Sequence, residues 1–167
     1  SRDYVDYTDD IYVGYRYFET IPGAAEKVVY PFGYGLSYTT FDVETVSAGV
    51  VNSNCTSEAN KLYAKVRVTN TGKFSGKEVV QVYIAKPQGK LGKPAKELAA
   101  FEKTRELQPG ESQLMILTWE INDMASYDDL GKVKKSAYVL EAGSYDIYVG
   151  TSVRDVTKAD YSYILNH

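Results

Sequence analysis

Histidine and cysteine are almost missing from this chain, and their scarcity removes the commonest routes to catalysis. Among 167 residues there is one cysteine, Cys55, and one histidine, His167. A single cysteine excludes an internal disulfide and a cysteine metal cluster. A single histidine at the end of the sequence leaves a Ser-His-Asp triad or a His-built zinc site without its parts. No metal and no cofactor are therefore expected. Long apolar runs are missing too: none approaches the roughly 20 residues that cross a bilayer, so no membrane segment is expected. The formal net charge of −3 gives no general attraction for nucleic acid or an anionic membrane surface. The opening residues, Ser1-Arg2-Asp3-Tyr4, do not have the form of a signal peptide. Localisation is left open, cytoplasmic or secreted, depending on a signal outside this chain.

What the chain has in excess is tyrosine: 16 Tyr against 5 Phe and 1 Trp. Tyrosine buries a ring while keeping a polar tip, which suits sheet faces and half-wet contacts between domains. The aromatic density peaks at Tyr30-Pro31-Phe32-Gly33-Tyr34-Gly35-Leu36-Ser37-Tyr38-Thr39-Thr40-Phe41. Glycines at 33 and 35 admit backbone angles other residues resist, and Pro31 fixes φ and removes a donor. The segment is expected to be a shaped, adhesive linker spanning 30–41.

Beyond it the sequence alternates with the two-residue period of half-buried strands. Candidate strands begin at Phe41-Asp42-Val43-Glu44-Thr45-Val46 and Leu62-Tyr63-Ala64-Lys65-Val66-Arg67-Val68-Thr69. Leu62, Ala64, Val66 and Val68 share one face of the second. Others start at Glu78, Lys96, Ser112, Ala137, Ser144 and Tyr161, with turn signals at Asn70-Thr71-Gly72, Gln108-Pro109-Gly110 and Ala142-Gly143. Residues 122–129 are expected to form one short helical turn capped by Asn122 or Asp123. Seven or eight short strands without a long helical period imply an all-β chain, an antiparallel β-sandwich. Residues 1–29 differ: Ile11-Tyr12-Val13-Gly14-Tyr15-Arg16-Tyr17-Phe18 has no partner of its own, and reads as an N-terminal extended segment, the tail of something larger and separable from the sandwich.

Taken in order, these motifs resemble the C-terminal part of family 3 glycoside hydrolases, the β-glucosidase family. The matching residues are Asp9 to Phe18, the linker Tyr30 to Phe41, Val68-Thr69-Asn70-Thr71-Gly72, Gly76-Lys77-Glu78-Val79-Val80-Gln81-Val82-Tyr83, Lys96-Glu97-Leu98 with Phe101-Glu102-Lys103, and Gly143 to Ser152. The resemblance implies a tail of the α/β sandwich domain at 1–29, the connection at 30–41, and a fibronectin type III-like domain at 42–167. In that family a barrel domain bears an Asp nucleophile and the α/β domain a Glu acid/base; neither motif has a counterpart here. Retaining hydrolysis needs two carboxylates about 5 Å apart across the scissile bond. The resemblance therefore implies a non-catalytic accessory domain of a retaining β-glucosidase-type parent, inactive alone, whose partners are the parent's barrel and α/β domains. Two stretches depart from the family pattern: Ala137-Tyr138-Val139 and the basic insert Lys132-Val133-Lys134-Lys135.

The expected docking residues toward those domains are Tyr12, Tyr15, Arg16, Tyr17, Phe32, Tyr34 and Tyr38. Their rings would also suit carbohydrate, as an independent binding or adhesion-type module; the guanidinium of Arg16 suits stacking and bidentate pairing. A flat sugar platform is disfavoured, because Tyr83, Tyr145, Tyr148, Tyr161 and Tyr163 do not share a strand face. Asp3, Asp6, Asp9 and Asp10 lack calcium-loop spacing and read as solvated surface; Asp128-Asp129 reads as a turn. Asn54-Cys55-Thr56 fits the N-glycosylation acceptor pattern. Lys73, Lys77, Lys86, Lys90, Lys93, Lys96, Lys132, Lys134 and Lys135 read as guards of edge strands rather than a nucleic-acid patch.

Overall fold

The computed structural model describes residues 11–51 and 60–166. The acidic run at Asp3, Asp6, Asp9 and Asp10, the acceptor Asn54-Cys55-Thr56 and His167 lie outside the described residues. The described chain begins with helix α1 (Tyr15–Thr20) and a 3-10 turn at Ala24–Lys27. Nine strands follow: β1 (Phe41–Val50), β2 (Lys61–Asn70), β3 (Val79–Ala85), β4 (Glu97–Lys103), β5 (Ser112–Glu120), β6 (Ser126–Asp128), β7 (Ala137–Val139), β8 (Gly143–Gly150) and β9 (Val156–Leu165). They build a three-stranded sheet in the order β1-β2-β5, a four-stranded sheet in the order β4-β3-β8-β9, and the hairpin β6-β7, all antiparallel.

The core lies between the two larger sheets, and strict alternation selects its residues. Leu62, Ala64, Val66 and Val68 point inward from β2, opposite Val80, Val82 and Ile84 of β3 and Tyr145, Ile147 and Val149 of β8. Met115, Leu117 and Trp119 complete it from β5. A one-residue slip in any of these strands would turn the apolar set outward, so the pattern fixes the register. Each fully buried Val, Leu or Ile contributes about 1.5–3 kcal/mol relative to exposure, which is why the sandwich needs no cross-link.

Three expectations are corrected. The stretch at 122–129 is a 3-10 turn at Ile121–Met124 followed by β6, and its N-cap is Glu120, without a side-chain bond. Ile121 and Met124 are buried one turn apart, and the Ile121 N–H donates to the Asn60 carbonyl at 2.8 Å, so the ladder of β5 runs directly into the turn. Asn122 and Asp123 are thus inside the turn rather than at its cap. β9 begins at Val156, five residues before the expected strand, because Ala159 is buried against the core while Lys158 pairs outward with Asp146 at 2.8 Å. The described part of the head, residues 11–29, is neither wholly extended nor detached. Gly14, at φ 61°, turns the chain into α1, and that helix packs against β4. The Leu98 N–H donates to Tyr15 Oη at 2.9 Å and the Ala95 N–H to Thr20 Oγ1 at 2.8 Å.

Candidate docking surface

The outer face of β3 would be wet in a bare sandwich, yet Gln81 and Tyr83 on it are buried. The head and linker cover them. Tyr15 stacks on Phe32 with ring centroids 4.1 Å apart, closing one side. Gln81 Nε2 donates to the Gly33 carbonyl at 3.0 Å and to the Thr151 carbonyl at 2.7 Å, while Tyr83 Oη donates to Gln81 Oε1 at 2.6 Å. Burial pushes the Tyr83 phenol well above its ordinary value, with Tyr15 and Glu19 adding to the shift. Gly33 sits at the third position of a turn closed by the Tyr34 N–H donating to the Pro31 carbonyl, with φ of 80°. A Cβ there would lie 2.0 Å from Gln81 Oε1, so both the turn and the close approach require glycine. Gly35 has no such constraint.

Polar clamps fix the same segment elsewhere. Arg154 donates from Nε to Glu19 at 2.9 Å and through its terminal nitrogen to the Ala25 carbonyl at 3.2 Å. The Val153 N–H donates to the Phe32 carbonyl at 2.9 Å. Where the linker joins β1, Thr39 Oγ1 donates to Asn70 Oδ1 at 2.8 Å, and Asn70 Nδ2 donates to the carbonyls of Phe74 and Leu107, both at 2.8 Å. Asn70 is fully buried, and every one of its polar atoms is used. Gly72 lies beneath this crossing: a Cβ on it would be 2.0 Å from Thr39 Oγ1 and 2.7 Å from the Thr40 nitrogen. The Asn-Thr-Gly signal is therefore a seat for the linker as well as a turn.

Between these anchors the linker shows its apolar side chains to solvent. Among the described residues, nine of the nineteen exposed large apolar side chains fall within 13–38. Tyr38 is 97% exposed, Leu36 88% and Val29 84%, values far beyond what an ordinary surface residue shows. Tyr30 and Tyr34 stack on each other at 5.3 Å, presenting paired rings. Tyr38 and Phe74 line a common open cleft with Thr39, Thr40 and Thr71. Exposed apolar patches of this density are characteristic of contact surfaces.

The seven residues expected at this surface divide into two groups. Tyr17, Phe32, Tyr34 and Tyr38 are exposed. Tyr12, Tyr15 and Arg16 are partly buried against the chain's own sandwich. Arg16 pairs with Glu97 at 3.0 Å, and the same carboxylate meets Lys86 through its other oxygen. Sequence alone missed Val13, Ile21, Val29, Tyr30 and Leu36, although their apolar character in a stretch with no strand period was a visible signal. The rings considered for a flat sugar platform are dispersed: Tyr83 and Tyr145 are buried, and Tyr148 lies beneath Lys96, whose Nζ is 5.0 Å from the ring centroid.

Two lysines expected at edge strands are interior. Lys86 and Lys93 are buried, Lys93 reaching Glu141 at 3.0 Å. Their aliphatic stems fill space between loop and sheet, and a lysine there is tolerated only with a carboxylate in contact. Burial lowers the Lys86 ammonium from its ordinary value, and Glu97 offsets only part of this. Burial would raise Glu141, but the Lys93 ammonium and the Lys90 amide outweigh it and hold the carboxyl below the usual range. Asp128 is also buried, and its two oxygens accept four backbone N–H groups, from Gly131, Lys132, Val133 and Lys134, at 2.7–3.0 Å. The basic insert is thus a loop wound around one carboxylate.

Residues 78–153 match the model of the fibronectin type III-like domain family. Over 98% of its length the chain is 60% identical to "Beta-glucosidase A" of Butyrivibrio fibrisolvens, of which it covers 21%. The solved β-glucosidase of Paenibacillus barengoltzii superposes on 93% of this chain with a TM-score of 0.84 and 50% identity, the match covering 16% of that protein. The GH3 β-glucosidase of Bifidobacterium adolescentis gives a TM-score of 0.74 at 34% identity, with 92% of this chain and 21% of that one covered. The chain spans about a fifth or less of the length of the relatives it matches here. With its sandwich, its linker and its head all matched by such enzymes, this chain is a segment of a family 3 glycoside hydrolase, containing the fibronectin type III-like domain.

Proposed function

We propose that this segment is a non-catalytic accessory domain that braces the other domains of a β-glucosidase-type parent enzyme. The parent would remove terminal β-D-glucosyl residues with retention, using carboxylates carried outside this segment. The observation that carries the proposal is the apolar ribbon within 13–38: exposed along its length, yet fixed to the sandwich by the Asn70, Gln81 and Arg154 clamps. A surface of this kind is costly to leave wet and is accounted for by a permanent partner domain. Tyr17, Phe32, Tyr34 and Tyr38 are the docking side chains, joined by Val29, Tyr30 and Leu36. Tyr12, Tyr15 and Arg16 act from behind, holding the ribbon in shape.

Two measurements test this. The chain alone should give no turnover of an aryl β-glucoside above background; turnover would refute the accessory role. In the whole enzyme, replacing Val29, Leu36 and Tyr38 together by Ser should lower the melting temperature and the activity. The same triple change should leave the melting of the isolated chain within about 0.5 kcal/mol of the parent, as for other exposed sites. An enzyme indifferent to the triple change would remove the bracing role.

A further inference from the structure

A pocket of about 290 Å³ opens between α1, β4, the Ile121–Met124 turn and the β6-β7 hairpin. Its volume is at the lower limit of small-molecule pockets, which run from roughly 300 Å³ upward, so it admits one ring rather than a polymer. The wall carries two cations, Arg16 and Lys86, and two carboxylates, Glu97 and Asp123. Arg16 and Lys86 are both already held on Glu97. An anionic ligand would have to draw Arg16 or Lys86 away from Glu97 and leave a buried carboxylate short of its partner, at high cost. A neutral ligand would not.

The remaining groups suit a polyhydroxylated one. Asp123 has no partner among the described residues and offers acceptor oxygens. Ser126, 3.4 Å from Lys86 Nζ, offers a hydroxyl. Trp119 forms part of the wall, and its buried indole N–H has no acceptor among the described residues, where such groups are normally satisfied. Tyr127 and Tyr138, paired across the β6-β7 hairpin with ring centroids 5.2 Å apart, stand exposed at the rim and offer apolar faces. Donors, acceptors, aromatic faces and balanced charge in a one-ring volume suit a neutral sugar ring.

We propose that this pocket binds one neutral pyranose, a free monosaccharide or the end residue of a short oligosaccharide, through Asp123, Ser126, Arg16 and the Tyr127–Tyr138 rim. The site shares Arg16 with the support behind the bracing ribbon but uses none of the ribbon's exposed side chains. Trp119 is the only tryptophan in the chain, and its emission reports on the pocket directly.

The test is titration of the chain with glucose and with cellobiose, following Trp119 emission and amide NMR shifts. Concentrations on the order of 100 mM saturate a site of millimolar Kd. The expected result is a saturable change for at least one sugar, with shifts confined to the lining at Arg16 and the 84–86, 97–99, 119–128 and 137–139 segments. Asp123→Ala and Tyr138→Ala, both exposed positions whose loss leaves the fold intact, should each raise Kd at least fivefold while thermal melting is unchanged. Absence of a saturable change overturns the proposal. So does binding that both variants leave untouched, or an equal response to sodium acetate, which would mean an anion site.

Discussion

Replacing Glu97 by Ala tests whether the seam between head and sandwich is held by charge. The carboxylate of Glu97 serves two cations of different exposure: Lys86, whose side chain is 6% exposed, and Arg16, 39% exposed. The Arg16 arm is solvated, and pairs of that kind contribute between nothing and about 1 kcal/mol. The Lys86 arm is interior. Removing the partner of a buried ion costs about 3–5 kcal/mol, because the remaining charge has no other compensation. Glu97→Ala is therefore expected to cost about 3 kcal/mol or more, which in a chain of this size lowers Tm by about 6–12 °C. Arg16→Ala should cost less than about 1 kcal/mol. The sign of the pH dependence separates this from simple loss of packing. Burial already lowers Lys86, and without Glu97 it falls further. Above that lowered native value the unfolded chain binds the extra proton, so stability of the variant climbs with pH until the ordinary lysine value near 10.4 is passed. The deficit against the parent should thus be greatest near neutrality and shrink toward pH 10. Lys86→Met combined with Glu97→Leu should recover most of the loss. Urea melts of the four proteins at pH 7 and pH 9.5 decide the matter. A Glu97→Ala deficit below 1 kcal/mol, or one that does not change with pH, would refute the charge argument.

Gly72→Ala should cost about 1–3 kcal/mol through overpacking against Thr39 and Thr40, with the largest amide shifts at 39–40 and 70–74 rather than in the strands. Removal of residues 1–29 should destabilise the sandwich by about 1.5–3 kcal/mol as Tyr83 and Gln81 become wet; unchanged thermal melting would show the head to be a passenger. Asp128 is held below the ordinary carboxylate range: burial raises it, but the four backbone donors outweigh that. Its contribution is therefore complete above the unfolded value near 4 and disappears as pH falls through the lower native one. Asp128→Asn should flatten the stability curve below pH 4, as measured by denaturant melts across pH 2–6.

The β-sandwich was legible because strand alternation is local: Leu62, Ala64, Val66 and Val68 announce their common face within eight residues, and all four are fully buried. The stretch Tyr30 to Phe41 stood out for a similarly local reason, combining rings, glycine and proline within twelve residues. What could not be read was pairing at a distance. Lys86 and Lys93 look like any surface lysine in sequence, and only the fold brings Glu97 and Glu141 to them. The head failed for a related reason. Tyr15 to Thr20 is too short for a helical period to show, and its partners Ala95 and Leu98 lie some 80 positions later. The β6-β7 hairpin was half visible: Ala137-Tyr138-Val139 read as a strand, but its partner Ser126–Asp128 did not, since Asp128 owes its place to the loop amides rather than to any strand propensity.

On the proposed bracing role, the clamps serve docking although the ribbon has no strand of its own. A free linker of ten residues would lose roughly 1–2 kcal/mol per residue in backbone entropy on binding a partner domain. Here that cost is met within the segment itself, by the Gln81 bonds at Gly33, the Val153 bond at Phe32, the Arg154 clamp at Ala25 and the Asn70 node at Thr39. The side chains of Val29, Leu36 and Tyr38 are therefore offered on a backbone that is already ordered, and most of their apolar area converts into contact energy when covered. Loosening one clamp should then weaken docking without touching a docking residue. Gln81→Ala, which frees the Gly33 turn and leaves Tyr83 without its acceptor, should reduce domain cohesion in the whole enzyme, measured by its melting temperature, more than any single exposed ring replaced by Ser; the reverse order would show that contact area alone decides.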